Sequence, residues 1–363
     1  MTRARVLGFR VHAQQLDRES TDLVEAAVLD LGAQETGPDG GRWALALRGV
    51  DTGALAPDAL ADVWTIRGAP HLYRRADLAQ VAAAVAPFSD ADAAKRIYDA
   101  ARPLRAAGIG VVDALDTVAA AMRTIVTKPT VKGAVSTRLT AVMPEPYLRE
   151  CRPCQATHLY EMPFRLAALR AGLELQHGTS PPVLTRIPKF KAAAAAGERF
   201  DVIRAYLRLL GPATPQHVAA YLDAPVTDVK RRWPDDAVEV RAGGERRWIL
   251  AADEARLRDG PPARGTRLLG PYDLFLQAKD RALVVPDAAR AKQLWPVLGR
   301  PGAVLHDGEV VGLWRPRAAG RTLAVAMELW ARVPMKAVEA QAERLAAFRD
   351  VRLTGVTTTG PSA

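Results

Sequence analysis

The chain has few of the features that mark secreted or membrane-spanning proteins. It contains two cysteines, Cys151 and Cys154, so disulfide bonds are not what holds its fold together. No apolar run reaches the roughly 18 residues that a membrane-spanning helix needs. The first residues, Met-Thr-Arg-Ala-Arg-Val-Leu, lack the apolar core of a signal peptide. We therefore expect a cytoplasmic, nucleoid-associated protein that makes no contact with a membrane.

Glycine-rich nucleotide-binding motifs are also missing. No Gly-x-Gly-x-x-Gly follows a predicted strand, and the sequence contains no phosphate-binding loop. A cofactor-dependent enzyme therefore has little support, and we expect no cofactor.

What is present indicates a folded protein of several domains with a polyanionic partner. The 363 residues are 49% hydrophobic and 25% charged, which excludes a disordered chain and predicts two to four folded units. The net charge of +10 favours nucleic acid. A compositional bias towards arginine would explain the same excess without any function, so charge alone does not decide.

The most informative segment is 201–250. Turn residues at Gly211-Pro212 and Ala224-Pro225 separate apolar stretches of helical spacing, and two β-rich runs follow around Gly243-Gly244. The predicted elements are helix, helix, helix, strand and strand, at 202–210, 214–222, 227–233, 237–241 and 247–250. This is the order of a winged helix-turn-helix, with 227–233 as the recognition helix and the two glycines at the tip of the wing.

Cations lie on both DNA-contacting parts of this predicted unit. Lys230, Arg231 and Arg232 are on the recognition helix, and Arg246 and Arg247 are on the wing. Phosphate contacts need cations at these places. The alternative is a small helical subdomain with a solvated basic face.

Similar orders of elements recur along the chain, so we predict an α+β fold of three tandem winged helix-turn-helix units and a β-rich C-terminal domain. Within the first unit we expect a helix over 6–30, a strand over 42–49, a helix over 56–62 and a strand pair over 63–73. In the C-terminal domain we expect a strand at 282–285, a hairpin at His306-Asp307-Gly308-Glu309 and a closing helix over 335–348. The predicted boundaries are 1–89, 90–195, 196–255 and 256–363.

Cys151, Cys154 and His158 have the spacing of metal ligands. A structural zinc site uses four ligands, and this run supplies three, with Glu161 as a fourth candidate. A reduced cysteine pair at the start of a helix is the more ordinary interpretation. We therefore expect no metal.

Several stretches together resemble the bacterial winged-helix DNA-binding superfamily that contains the AlkZ/YcaQ-like DNA glycosylases. The resemblance spans almost the whole chain, in the family's order. Its stretches are Val63-Trp-Thr-Ile-Arg-Gly-Ala-Pro-His-Leu72, Gly211-Pro-Ala-Thr-Pro215, Gly270-Pro-Tyr-Asp-Leu274 with Lys279-Asp280-Arg281, and Asp307-Gly-Glu-Val-Val-Gly-Leu-Trp-Arg315.

The resemblance implies hydrolysis of an N-glycosidic bond and a place for the catalytic residues. The family's glycosylases carry Gln-Φ-Gln or Gln-Φ-Asp, with Φ apolar, and the matching place here is Gln34-Glu35-Thr36. Gln34 fits the pattern, whereas Glu35 and Thr36 depart from it. The expected roles are water binding for Gln34, hydrogen bonding for Thr36 and an acidic partner for Glu35. The alternative is that Gln34 and Thr36 only cap the turn before Pro38.

The family's Trp-x-x-Arg-Gly-x-x-His motif is matched by Trp64, Arg67, Gly68 and His71. It implies contacts from Arg67 and His71 to the DNA backbone, and the alternative is a hairpin with one half-buried histidine. We therefore predict a monomeric, monofunctional DNA-repair glycosylase that acts on bulky alkylated or crosslinked bases in double-stranded DNA. The alternative is a winged-helix DNA-binding protein without catalysis, either a regulator or a lesion binder.

Overall fold

The computed structural model describes residues 1–361 and has a mixed α+β architecture, as predicted. The helices are α1 Arg3–Ala13, α2 Gly40–Leu47, α3 Leu78–Ala84, α4 Asp90–Arg96, α5 Ala101–Ala106, α6 Val111–Ile125, α7 Lys132–Val142, α8 Glu161–Arg170, α9 Val202–Leu210, α10 Pro215–Leu222, α11 Val226–Arg231, α12 Ala251–Asp259, α13 Arg281–Val284, α14 Ala288–Leu294 and α15 Met335–Phe348. The strands are β1 Ala33–Gln34, β2 Leu60–Trp64, β3 Pro70–Arg74, β4 Thr130–Val131, β5 Leu148–Cys151, β6 Ala156–Leu159, β7 Leu173–Leu175, β8 Val183–Arg186, β9 Ala237–Ala242, β10 Glu245–Leu250, β11 Thr266–Leu269, β12 Gly302–His306, β13 Glu309–Ala319, β14 Thr322–Leu329 and β15 Arg352–Thr359.

The chain forms two compact units, each assembled from separate segments. Unit 1 contains residues 1–55, 205–217 and 234–363, and unit 2 contains residues 56–204 and 218–233. The four sequence-based domain boundaries are not tested by this division and stay a prediction. Within residues 1–361, the helices are too short or too polar to cross a membrane.

Unit 1 is built on a five-stranded sheet in the order β11-β12-β13-β14-β15. Neighbouring strands are antiparallel except β14 and β15, which are parallel. The Trp43 ring of α2 packs against Phe348 of α15 with ring centroids 5.1 Å apart. Its indole N–H donates to the Leu268 carbonyl of β11 at 2.8 Å. These contacts tie α2, and the turn that precedes it, to the sheet.

The sequence-based strand at 42–49 is wrong, because this segment is the helix α2. The alternation of Trp43-Ala-Leu-Ala-Leu47 suggested a strand, yet Trp43, Ala44 and Leu47 also share one helical face and are buried. A side chain outside the segment decides between the two: the Glu35 carboxylate accepts hydrogen bonds from the Gly41 and Arg42 N–H groups at the start of the helix. Such capping favours the helix.

Three other predicted elements need correction. The helix expected over 6–30 ends at Ala13 and is followed by two short 3₁₀ turns. The helix expected over 56–62 is absent, since β2 already begins at Leu60. The strand expected at 282–285 is the helix α13.

Unit 2 has a sheet in which β3, β2, β7, β8 and β4 lie in that order, with every pair antiparallel. The predicted strand pair within 63–73 is present as β2 and β3. Helices α4 to α8 bury an apolar core against it, in which Trp64, Val118, Met122 and Phe164 are at most 4% exposed. Trp64, at the end of β2, anchors the β2–β3 hairpin in this core.

The predicted order of elements in 201–250 is present as α9, α10, α11, β9 and β10. β9 and β10 pair in register from Ala237↔Leu250 to Ala242↔Glu245. Gly243 and Gly244 turn between them with φ of 61° and 83°, a conformation that favours glycine. The helix α11 begins at Val226 and ends at Arg231, so Arg232 and Trp233 follow it.

Candidate active site and nucleic-acid interface

Gln34 and Thr36 lie side by side at the end of β1. Because their side chains alternate with that of Glu35 along an extended segment, both point the same way and both are half-buried. The Gln34 Nε2 donates to Thr36 Oγ1 at 2.9 Å, and Gln34 Oε1 accepts from Gln277 Nε2 at 3.3 Å. The Gln34 amide is therefore held by two side chains and keeps one N–H and one lone pair for another ligand.

Glu35 points the opposite way and does not fit the role of acidic partner. Its side chain is buried, and one carboxylate oxygen caps α2 through the Gly41 and Arg42 N–H groups. Burial raises its pKa, while the two N–H bonds act in the opposite direction. Glu35 thus places β1 against the helix start, and the expected catalytic role is corrected to a structural one.

A buried ion pair at the C-terminal end of α2 stabilises the region around Gln34. The Arg48 guanidinium donates to both Asp273 carboxylate oxygens at 2.8 and 2.9 Å and to Gln14 Oε1 at 3.1 Å. Asp273 also accepts from the Phe275 N–H at 3.0 Å, which starts the 3₁₀ turn Leu274–Gln277. This turn carries Gln277, the partner of Gln34.

Arg67 occupies the bend of the β2–β3 hairpin with φ of 56°. Its guanidinium donates to the Tyr221 carbonyl and lies 4.8 Å from the centroid of the Tyr221 ring. Arg67 is half-buried. Its predicted contact with a DNA phosphate stays a prediction.

His71 does not fit the expected DNA contact. The ring is 1% exposed, its Nδ1–H donates to the Ala69 carbonyl at 2.9 Å, and Thr65 Oγ1 lies 3.0 Å from the same nitrogen. Burial, together with the nearby Arg67 charge, lowers the pKa of His71 to about 3. His71 is therefore a neutral part of the hairpin interior.

The buried His71 predicts a pH dependence of stability. Its pKa is about 3 in the folded chain and 6.5 in a free histidine, so the unfolded state binds the proton more readily. The stabilisation is complete above pH 6.5 and is lost as pH falls towards 3, with a slope of up to about 1.4 kcal/mol per pH unit from this residue. Urea unfolding at several pH values measures this slope.

A His71→Asn variant is expected to be less stable at neutral pH and to show a shallower slope between pH 6 and 4. The exposed His177 gives a matched control, and His177→Ala should keep the wild-type slope. An unchanged slope in His71→Asn would show that other groups cause the acid sensitivity.

The predicted recognition helix does present cations to solvent. Lys230, Arg231 and Arg232 are exposed, Arg231 lies 3.4 Å from Asp228 Oδ1, and Arg232 stacks over the Phe88 ring at 4.8 Å. In unit 1, Arg246 is also exposed and pairs with Glu239 at 2.5 Å. Exposed pairs of this kind contribute little stability, so these cations can exchange their partners for phosphates.

Arg247, expected on the DNA-contacting wing, is instead 4% exposed. It pairs with Asp280, which also receives two bonds from Arg10 at 3.0 and 2.7 Å. Burial opposes ionisation of Asp280, but the two guanidinium groups outweigh it and lower its pKa. Alternation along β10 explains the difference, because Arg246 faces solvent and Arg247 faces the interior. Arg247 is therefore a structural residue.

Cys151, Cys154 and His158 are brought together at the tip of the β5–β6 hairpin. Their sulfur and ring nitrogen atoms all lie within 4.8 Å of one another. The Cys154 N–H and the His158 side chain hydrogen-bond to the Cys151 sulfur and lower the pKa of its thiol to about 7, whereas the Cys151 sulfur raises the pKa of Cys154. The sequence-based expectation of a metal-free pair is not tested by this geometry.

The sequence model of the DNA glycosylase AlkZ-like family matches residues 28–348, so the chain belongs to this family. The family resemblance deduced from the sequence is thereby confirmed.

A curated protein and a solved structure, both of Streptomyces sahachiroi, are similar to this chain. The "Interstrand DNA cross-link repair glycosylase" is 32% identical over 155 residues, which cover 40% of this chain and 41% of that protein. The match thus spans less than half of that relative. The solved structure of Streptomyces sahachiroi DNA glycosylase AlkZ superposes with a TM-score of 0.74 and 21% identity, covering 99% of this chain and 100% of that one. At this identity the likeness shows the fold.

The sequence did not assign roles to Gln277, Asp273 and Arg48. Asp273 lies in the Gly270-Pro-Tyr-Asp-Leu274 stretch that carried the family resemblance, and that resemblance was the available signal. Gln277 and Arg48 had none, because their partners are 243 and 225 residues away in sequence.

Proposed function

We propose that this chain is a monofunctional DNA glycosylase that hydrolyses the N-glycosidic bond of bulky alkylated or interstrand-crosslinked bases in double-stranded DNA. The observation that carries the proposal is the Gln34–Thr36 pair: at the family's catalytic position, two polar side chains are bonded to each other and half-exposed. The Streptomyces sahachiroi relative is named an interstrand DNA cross-link repair glycosylase, which supports the substrate class.

The reaction asks little acid–base chemistry of the protein. A purine alkylated at N7 or N3 carries a positive charge, so it leaves with the glycosidic electron pair as a neutral base. A water then forms the new bond to C1′ and releases its proton to solvent. The protein has to hold that water and stabilise the developing oxocarbenium charge.

Gln34 and Thr36 have the groups for this. The remaining lone pair of Gln34 Oε1 and the oxygen of Thr36 can each accept a hydrogen bond from water, which leaves the water's own lone pair for C1′. Gln277 fixes the amide in this orientation through its bond to Gln34 Oε1.

The finer assignments belong to the same proposal. We propose a monomer that acts on duplex DNA at the nucleoid in the cytoplasm, without a cofactor, and in which three segments of the chain are winged helix-turn-helix units. The exposed cations Lys230, Arg231, Arg232 and Arg246 support contact with the DNA backbone. Arg67 is proposed as a further phosphate contact.

Base release from defined duplexes tests the activity. One duplex would carry a single bulky N7-alkylated guanine and another a crosslink made by a bifunctional alkylating agent. Mass spectrometry of the free base and strand cleavage only after alkali would establish a monofunctional glycosylase. Tight binding without base release from either duplex would leave the non-catalytic function instead.

DNA affinity is expected to fall steeply with salt. A protein with about six phosphate contacts loses roughly a thousandfold in affinity between 50 and 200 mM salt. The variant Lys230→Ala should lower affinity for all sequences alike and reduce the salt slope by about one. Fluorescence anisotropy on duplexes of unrelated sequence measures both quantities.

The exposed Arg321, on the turn between β13 and β14, provides the control, because Arg321→Ala removes one positive charge without touching α11. An affinity independent of salt would contradict the phosphate contacts. Equal losses in the two variants would mean that net charge, and not the position of Lys230, determines binding.

A further inference from the structure

The β5–β6 hairpin of unit 2 places two cysteines and a histidine on one face. Cys151 pairs with Ala156 and Arg149 pairs with His158 across the two strands. Because side chains alternate along a strand, Cys151 and Arg149 share a face, and so does His158 opposite Arg149. The register alone therefore puts the Cys151 thiol and the His158 ring on the same side of the hairpin.

The turn between β5 and β6 carries the third member of the cluster, Cys154. The Cys154 N–H donates to the Cys151 carbonyl at 3.1 Å, and the Gln155 N–H donates to the Arg152 carbonyl at 3.3 Å. Gln155 has a φ of 50°, which lets the chain reverse directly after Cys154. The tight turn brings the second thiol back over the first.

We propose that Cys151, Cys154 and His158 bind one Zn²⁺ ion, with water in the fourth position, in place of the metal-free pair that the sequence alone favoured. Sulfur and imidazole nitrogen are the donors that Zn²⁺ prefers, at about 2.3 and 2.0 Å. Neighbouring donors around one tetrahedral ion are then about 3.3 to 3.8 Å apart. The three donor atoms here already lie within 4.8 Å of one another, so a small closing movement completes the site.

The histidine is oriented as a ligand. Its Nδ1–H donates to the Leu159 carbonyl at 2.8 Å, so a metal would bind Nε2 in place of the hydrogen bond between the ring and the Cys151 sulfur. Metal-binding histidines commonly fix their second nitrogen on a backbone carbonyl in this way.

The surroundings suit a site that takes its metal from solvent. Cys154 is exposed and His158 is half-buried, so an ion and a bound water can reach the cluster. Two thiolates balance the charge of Zn²⁺, whereas hard cations such as Mg²⁺ prefer oxygen ligands. A two-stranded hairpin is marginally stable by itself, and a metal that links its strands and turn would hold the tip in one conformation.

Metal analysis of the whole chain, untagged and purified under reducing conditions without chelator, tests the site. After incubation with ZnCl₂ and desalting, we expect about one zinc per chain. Because Cys154 is exposed, Cys154→Ser disturbs no buried core, and zinc content should fall at least about tenfold in it. The control His177→Ala removes an exposed histidine of the same unit and should keep the metal.

Thiol chemistry gives a second readout, since the chain has two cysteines and both belong to the cluster. Both thiols should react slowly with a thiol reagent in the zinc-loaded protein and fast after a chelator is added. Zinc below about a tenth of an equivalent in the wild type would overturn the proposal. A Cys154→Ser variant that keeps its zinc, or a disulfide between the two cysteines in the reduced preparation, would overturn it as well.

Discussion

Replacing Gln34 by alanine is expected to lower the rate of base release about a hundredfold or more. The Gln34 amide is held by Thr36 and Gln277 with one N–H and one lone pair remaining, which is the arrangement a positioned water needs. Water positioning acts mainly in the transition state, so the Kd for the duplex should change less than about twofold. Single-turnover base release and anisotropy separate the two effects.

Thr36→Asp is the companion variant. A carboxylate at this position keeps an acceptor for the Gln34 N–H, restores the Gln-x-Asp pattern and adds a negative charge that favours an oxocarbenium ion, so the rate should rise. The exposed Gln176 supplies the control, since Gln176→Ala removes an amide elsewhere. A Gln34→Ala enzyme with the wild-type rate would remove Gln34 from the mechanism, and capping of the turn would then be its role.

Local turn chemistry could be predicted from the sequence because the deciding residues are adjacent. Asp307-Gly308 turns between β12 and β13 with both residues at positive φ, as an Asp-Gly hairpin requires. Gly243-Gly244 does the same between β9 and β10. The family motif likewise singled out Gln34 and Thr36, two residues apart, and their side chains are hydrogen-bonded to each other.

Features that depend on distant partners could not be predicted. The sequence predicted a strand where the structure has α2, and only the fold brings the Glu35 carboxylate to the Gly41 N–H at the start of this helix. Whether an arginine faces solvent or the interior depends on acceptors such as Asp280, which forms ion pairs with Arg10 and Arg247 from other parts of the chain. The family motif fits His71 equally well as a surface residue or a buried one, and only the structure shows that it is buried.

The largest expected effect on stability comes from Asp273→Ala. Arg48 and Asp273 have side chains with no exposed surface, and the guanidinium also donates to the Ala44 carbonyl at 2.7 Å. Removing the carboxylate leaves a buried cation without its counter-charge, which typically costs about 3–5 kcal/mol. Urea unfolding of the full chain should therefore show a much lower midpoint than the wild type. The exposed Arg321, replaced by alanine, should leave the midpoint unchanged.

A double variant identifies the source of the loss. Arg48→Met combined with Asp273→Leu removes both charges and fills the space with apolar atoms, so it should recover most of the stability lost in Asp273→Ala. The Asp273 carboxylate also accepts the hydrogen bond from the Phe275 N–H that starts the 3₁₀ turn carrying Gln277, and the double variant does not restore this hydrogen bond. Equal losses of stability in Asp273→Ala and in the double variant would therefore assign the effect to the turn. An Asp273→Ala protein as stable as the wild type would show that the ion pair does not stabilise unit 1. If the double variant folds but releases base slowly, Asp273 acts on the site through the position of Gln277.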